Sequence, residues 1–319
     1  MIRWFIACVL ILLSVVSCSV STERGKALQK WLEPNGKVKV LCTTGMIADV
    51  AKKVGGDRVD VLTLIVGELD PHSYELVKGD SEKFSHADVV FANGLGLEGG
   101  ASVKSQIEMH PHGYRLGDGI EGVLYEDGHA DPHIWMDAKL FSQIVPKMVV
   151  AYEAVDGKKG YSSRGKQVGL ELDLLHKELC DMMTEVPMEK RYLVTAHDAF
   201  HYFTRAYLAS GDEEWECRCH APEGLAPDSQ MSIADMQEVV DHLLKYRVGV
   251  VFPESNLGTV SLEKICAICR ESGLHVSIYQ DELFGDAMGS PGSGADTYAG
   301  MLKENGRRIA KALCQKEDM

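Results

Sequence analysis

Two copies of one tripeptide, Asp70-Pro71-His72 and Asp131-Pro132-His133, stand sixty-one residues apart in this sequence. Proline fixes φ and stiffens its loop, while the aspartate before it is available to hold an imidazole and leave its other nitrogen free to ligate. One Asp-Pro-His alone reads as turn chemistry; a repeat asks for a shared purpose. A third histidine, in Thr195-Ala196-His197-Asp198, stands at the carboxyl end of an expected strand, where open α/β sheets present ligand-binding loops. Asp286, in Leu283-Phe284-Gly285-Asp286-Ala287-Met288-Gly289, occupies a comparable loop after a later strand. Three neutral imidazoles and one carboxylate suit a divalent transition metal and are too nitrogen-rich for Ca²⁺ or Mg²⁺. Spacing by itself does not bring the four together. Two come from each half of the chain, which would explain why one chain needs two lobes.

The elements that must position these residues alternate. Short β-branched runs at Val38–Cys42, Val59–Val66, Val89–Ala92 and Tyr114–Gly117 are separated by helical stretches near Met46–Val54, Gly79–His86 and Ala101–His110. Alternation of this kind is the mark of a parallel α/β sheet. Beyond the glycines at 157–165, Val168, Leu172, Leu175, Leu179 and Met182 recur at helical spacing up to Pro187, giving one long amphipathic helix. The alternation then restarts with strands Tyr192–Ala196, Val248–Phe252 and His275–Tyr279 and helices Ala199–Leu208, Ile233–Leu244, Leu262–Ser272 and Tyr298–Leu313. The expected fold is α/β: two βα lobes with parallel sheets, over 38–157 and 188–319, joined by one connecting helix over 158–187. At 319 residues the chain is long enough for each lobe to have its own core.

Lys and Arg number 33 against 47 Asp and Glu, a formal charge of −14, with no basic cluster, which disfavours nucleic acid or an anionic membrane surface and suits a cation or neutral ligand. Residues 1–17 combine Arg3 with the apolar run Trp4–Val16, as in a signal peptide, and Val15-Val16-Ser17-Cys18 resembles a bacterial lipobox, which would leave a lipid on Cys18. A plain signal peptide cut near Ser17–Ser21 is the other reading. The run is shorter than a spanning helix needs. Either way the chain is exported, to the periplasm or cell envelope, with residues 18–37 as a tether. Export makes disulfides possible: Cys217 and Cys219 could pair with Cys266 and Cys269, or the four could hold a structural zinc.

Beyond single motifs, Thr43-Thr44-Gly45-Met46-Ile47-Ala48-Asp49, Asp70-Pro71-His72-Ser73-Tyr74-Glu75, Asn93-Gly94-Leu95-Gly96-Leu97-Glu98, Asp131-Pro132-His133-Ile134-Trp135, Thr195-Ala196-His197-Asp198-Ala199-Phe200 and Phe284-Gly285-Asp286-Ala287-Met288 follow one another in an order that resembles the metal receptors of bacterial ABC importers. The resemblance runs from about Val38 to the end. It implies two lobes on a rigid helix, a Zn, Mn or Fe ion held by His72, His133, His197 and Asp286, and delivery to an ABC permease in the membrane. Zinc-dedicated members often carry a long His-rich loop before the second ligand, where this chain has only His110, His112 and His129, and some manganese receptors have Glu where His197 stands. The segment 211–227, with Trp215, Cys217, Cys219 and His220, is unusual in length and could form a private interaction surface.

Other readings compete. Gly94-Leu95-Gly96-Leu97-Glu98-Gly99 is formally a dinucleotide fingerprint, but it follows a later strand of its lobe; a tight turn passing close to the ligand loops accounts for it better. An exported zinc hydrolase could use the same ligands, although no H-E-x-x-H is present, and a surface adhesin could share the fold. Glu254, after the strand Val248–Phe252, could support a ligand or cap a helix. His86, His176, His201, His220, His242 and His275 lack a partner motif and read as structural or solvated.

Overall fold

The computed structural model describes residues 25–210, 215–226 and 232–314. The expected signal peptide over 1–17 and the expected lipidation of Cys18 fall outside the described residues. Part of the expected tether is ordered: residues 25–32 form helix α1, whose Trp31 is buried and donates its indole N–H to Asp60 O at 2.9 Å.

The first lobe follows the βα alternation. Strands β1 (Val38–Cys42), β2 (Val59–Thr63), β3 (Val89–Ala92) and β4 (Gly113–Arg115) form one parallel sheet in the order β2-β1-β3-β4. Helices α2 (Gly45–Gly55), α3 (Asp80–His86) and α4 (Ala101–Met109) connect them. Val40, Leu41, Cys42 and all of β3 are buried, as expected for central parallel strands covered on both faces. β2 is shorter than its apolar run, but its pairing persists through Leu64 N and Ile65 N, which donate to Cys42 O and Thr43 O. A two-residue hairpin follows: β5 (Tyr125–Glu126) and β6 (His129–Ala130) pair antiparallel around Asp127-Gly128, both at positive φ. Short α5 (Ala138–Phe141), α6 (Ile144–Asp156) and the 23-residue α7 (Tyr161–Met183) complete this half.

In the second half β7 (Leu193–Val194) pairs in parallel with β8 (Cys219–His220), and β9 (Val250–Val251) with β10 (Ser277–Ile278). Phe252 N donates to Val194 O at 2.8 Å and joins the two pairs. The strand β8 comes from the 211–227 segment, so this insertion supplies a sheet edge as well as surface. The stretch Ala199–Leu208 is one α turn, α8 (His201–Phe203), running into a π-helical turn over Thr204–Leu208. Helices α9 (Ile233–Tyr246), α10 (Val260–Glu271) and α11 (Tyr298–Cys314) follow, α9 opening with a Ser232/Asp235 capping box.

Each half has an apolar cluster of its own, and a larger one spans both. The stripe Val168, Leu172, Leu175, Leu179 and Met183 of α7 packs on α2 and α6 from one side and α11 from the other, and one apolar cluster runs from Val40 and Phe91 through α7 to Phe252 and Leu302. A smaller cluster lies between the second sheet, α9 and α10, and another under α3 and α4.

Candidate metal centre

His133 is held from behind. Asp131 Oδ1 accepts from His133 N at 2.9 Å and lies 2.8 Å from its Nδ1, so one oxygen fixes both loop and ring. The second oxygen, Oδ2, lies 3.1 Å from His201 Nδ1. Trp135 packs edge-on to the His133 ring at 5.2 Å between centroids, donates its indole N–H to Gly285 O and receives the Tyr298 hydroxyl on its own carbonyl, which ties the two halves beside the centre.

The first tripeptide works differently. Asp70 accepts from His72 N at 2.8 Å and from the Ser73 hydroxyl, and so holds the backbone turn; the expectation that it would orient the imidazole is corrected here, because its contacts are with the loop and not with the His72 ring. The loop is instead pressed from the side: a Cβ on Gly99 would lie 2.2 Å from His72 O. Glu98, buried, takes the Thr43 hydroxyl at 2.7 Å and the amides of Asn93 and Gly94, while Asn93 Nδ2 donates to Pro132 O at 2.9 Å. The glycine run is thus a turn that braces both tripeptides. The N-terminus of α4, where a pyrophosphate would sit in the dinucleotide reading, is taken by the Glu75 carboxylate on Ala101 N and Ser102 N.

Strand β7 stops short of the expected Ala196, where Ala196 N and His197 N both donate to Glu254 Oε1, at 3.0 and 2.9 Å. Glu254 Oε2 lies 2.8 Å from His197 Nδ1. Of the two roles open to Glu254, this geometry gives the supporting one. Gly285 makes room for it, since a Cβ there would come 2.2 Å from Glu254 Oε2 and 3.1 Å from the His197 ring. That constraint, like the amide of Asn256 that donates to Asp286 Oδ2 at 3.3 Å, has no motif of its own in the sequence; the glycine before a ligand is its only trace.

All four expected residues meet. One donor atom from each of His72, His133, His197 and Asp286 lies within 4.8 Å of the others, and all four side chains are buried. Asp286 stands 3.4 Å from His133 Nε2 and from His197 Nε2, and 3.7 Å from His72 Nε2. None of these three Nε2 atoms, nor Asp286 Oδ1, has a hydrogen-bond partner among the described residues. Buried polar atoms left unpaired are costly, so four gathered at one point describe a seat for a cation. Burial opposes charge on His133 and His197, but Asp131 and Asp286 outweigh it for the first and Glu254 and Asp286 for the second, and both pKa values are raised. His72, with no carboxylate behind it, is pushed down to about 4 by burial despite Asp286, with the other two imidazoles acting in the same direction. Asp286 would be raised by burial, but His197 and His133 hold it well below the usual carboxylate range.

A cleft of about 870 Å³ reaches Asp286 from outside, between Thr44 and Glu68 on one side and Ser255 and Met288 on the other. Of the histidines read as structural or solvated, His201 touches Asp131 and Asp198. His176 sits on α7 against Asp137 and the Tyr207 hydroxyl, a structural role. No disulfide joins the described cysteines, against the pairing of Cys217 and Cys219 with Cys266 and Cys269; Cys219 lies on β8, whereas Cys266 and Cys269 are buried along α10. Among the described residues no cysteine belongs to a cluster able to hold a metal, so the zinc alternative falls with it. No described helix is long and apolar enough to cross a membrane.

Residues 40–312 match the family described as zinc-uptake complex component A, periplasmic. The fold is similar to that of Fe(III)-bound YtgA from Chlamydia trachomatis, with a TM-score of 0.81 and 34% identity over 88% of this chain and 99% of that one. It is similar also to the periplasmic zinc-binding protein TroA from Treponema pallidum, with a TM-score of 0.79 and 32% identity over 88% and 100%. In sequence the chain is 32% identical to the manganese-binding lipoprotein MntA of Bacillus subtilis over 284 residues, 87% of this chain and 90% of that one.

Proposed function

The chain belongs to the family of the periplasmic zinc-uptake component A, and from that premise we propose that it is an exported receptor that captures one zinc, manganese or iron ion and delivers it to an ABC permease. The observation that carries this reading is the convergence of four buried donors whose free atoms have no other partner. In this mechanism the neutral imidazoles of His72, His133 and His197 and the carboxylate of Asp286 replace the water around the ion. Asp131 and Glu254 hold two of the rings so that Nε2 faces it, and each half of the molecule contributes two ligands. The protein does no covalent chemistry: a set of four protein donors suits holding an ion, and the two nearest carboxylates are engaged with imidazoles, leaving neither as a general base. Family membership favours this over a hydrolase. Residues 1–17 act as the signal peptide, Cys18 carries the lipid, 38–157 and 188–319 act as the two ligand-bearing lobes and 158–187 as the connector.

Titration calorimetry on the mature chain tests the reading. One tight equivalent of Zn²⁺ is expected, with most of that affinity lost in each of His72→Ala, His133→Ala, His197→Ala and Asp286→Ala and kept in His242→Ala. Near-wild-type affinity in any two of the four removes the assignment. Tight zinc binding in vitro does not identify the cargo, since Zn²⁺ outbinds Mn²⁺ at most nitrogen and oxygen sites.

A further inference from the structure

Asp131 is shared between two imidazoles. Its Oδ1 holds Nδ1 of His133, whose Nε2 faces the buried centre; its Oδ2 holds Nδ1 of His201, whose Nε2 points the other way, toward Asp198 Oδ1 at 3.3 Å. Glu126, on the β5–β6 hairpin, completes a group in which one donor atom each from Glu126, Asp198 and His201 lies within 4.8 Å of the others. The hairpin is fixed over this place: the Tyr202 hydroxyl donates to Asp131 O at 2.7 Å and accepts from Leu124 N at 3.0 Å, and Arg205 donates to Gly122 O. Asp198 is 93% buried by its 7% exposure, yet its Oδ1 makes no hydrogen bond among the described residues. A buried carboxylate oxygen whose near neighbour is a loosely placed imidazole nitrogen, 3.3 Å away, while the other ring nitrogen is tied down, is an arrangement that can take a cation between them. Glu126 is exposed, so this group stands at the surface, whereas the four residues of the first centre are all buried.

We propose that Glu126, Asp198 and His201 form a second site for a divalent first-row metal ion, next to the buried centre and joined to it through Asp131. One imidazole and two carboxylates leave room for water in the coordination shell, so this site is weaker than the buried one and exchanges its ion with solution faster. Because Asp131 spans both, an ion at one site tightens the carboxylate that orients a ligand of the other. The site stands on its own residues and does not require the buried centre to be the transport site.

The test is equilibrium dialysis of the full mature chain against Zn²⁺, with elemental analysis of metal per chain. Wild type should take up a tight equivalent and then a second at higher free Zn²⁺. Glu126→Gln changes an exposed side chain and should weaken the second step at least tenfold with little change in the first; His201→Gln should weaken the second step as much and, because it also frees Asp131 Oδ2, the first by a smaller factor. Asp286→Ala should lose the tight step and keep the weak one, which separates failure of this proposal from failure of the receptor reading. If wild type saturates at one equivalent, or if the second survives unchanged in both Glu126→Gln and His201→Gln, the group is an ion-paired network only and the proposal is overturned.

Discussion

Asp70 and Asp131 occupy the same place in the same tripeptide and do different work. Asp131 touches the imidazole of its histidine, whereas both oxygens of Asp70 are used on His72 N and Ser73. Removing a carboxylate that orients a ligand typically costs 10- to 100-fold in metal affinity. Asp131→Asn should therefore weaken metal binding by about that factor, and Asp70→Asn should leave affinity within a fewfold while lowering stability through the loosened turn. Calorimetric titration of the two variants side by side checks this; equal losses would mean that the backbone turn, not the imidazole contact, is what matters. The ligands themselves were legible because motif, residue type and strand-end position agreed. The division of labour was not, because the second oxygen of each aspartate meets a partner that the tripeptide does not specify, Ser73 for Asp70 and His201 for Asp131.

At the level of elements, the strands of the first lobe and the long helix were readable from β-branched runs and helical periodicity, which report burial directly. What could not be read is where the second sheet's strands stop. β7 loses its regular pairing after Val194, resuming only as a single bridge from His197 to Glu223, where a glutamate fifty-seven residues beyond His197 takes the amides of Ala196 and His197, a tertiary contact with no local trace. Each half has an apolar cluster of its own, and α7 adds one that chain length does not announce: its stripe is buried by α2 and α6 together with α11. A core that crosses the connector couples the halves. Thermal unfolding of the metal-free chain should then give one transition, with calorimetric and van't Hoff enthalpies in agreement. Two resolved transitions would show that the shared cluster contributes too little to bind the lobes into one cooperative unit.

For the whole molecule, the metal-free centre stores protons where the ion belongs, and this sets the direction of its pH dependence. His133 and His197 have raised pKa values in the fold, so the stability they contribute is fully present below about 6.5, the unfolded value, and is lost as pH rises through the raised ones. His201, pushed up to about 12 because Asp131 and Asp198 outweigh its burial, acts in the same sense. His72, lowered to about 4, acts in the opposite sense: it stays neutral when folded, and its contribution is lost as pH falls below about 6.5. The depressed pKa of Asp286 contributes only stability already present above about 3.9. The metal-free chain should therefore melt highest near pH 6 to 6.5 and lower at pH 8. Metal reverses the trend, because the ion needs neutral imidazoles and must displace the protons on His133 and His197, so affinity rises with pH to well above 6.5. An ion bound only by the native state adds about 4 kcal/mol when free metal is a thousandfold above Kd, and a fixed metal concentration reaches that ratio at pH 8 but falls short of it at pH 5.5. Melting curves with and without Zn²⁺ at the two pH values should show a metal-induced shift that is large at pH 8 and small at pH 5.5. A shift of equal size at both would place the stabilising ion on oxygen ligands that do not compete with protons in this range, and His72, His133 and His197 would then not be what holds it.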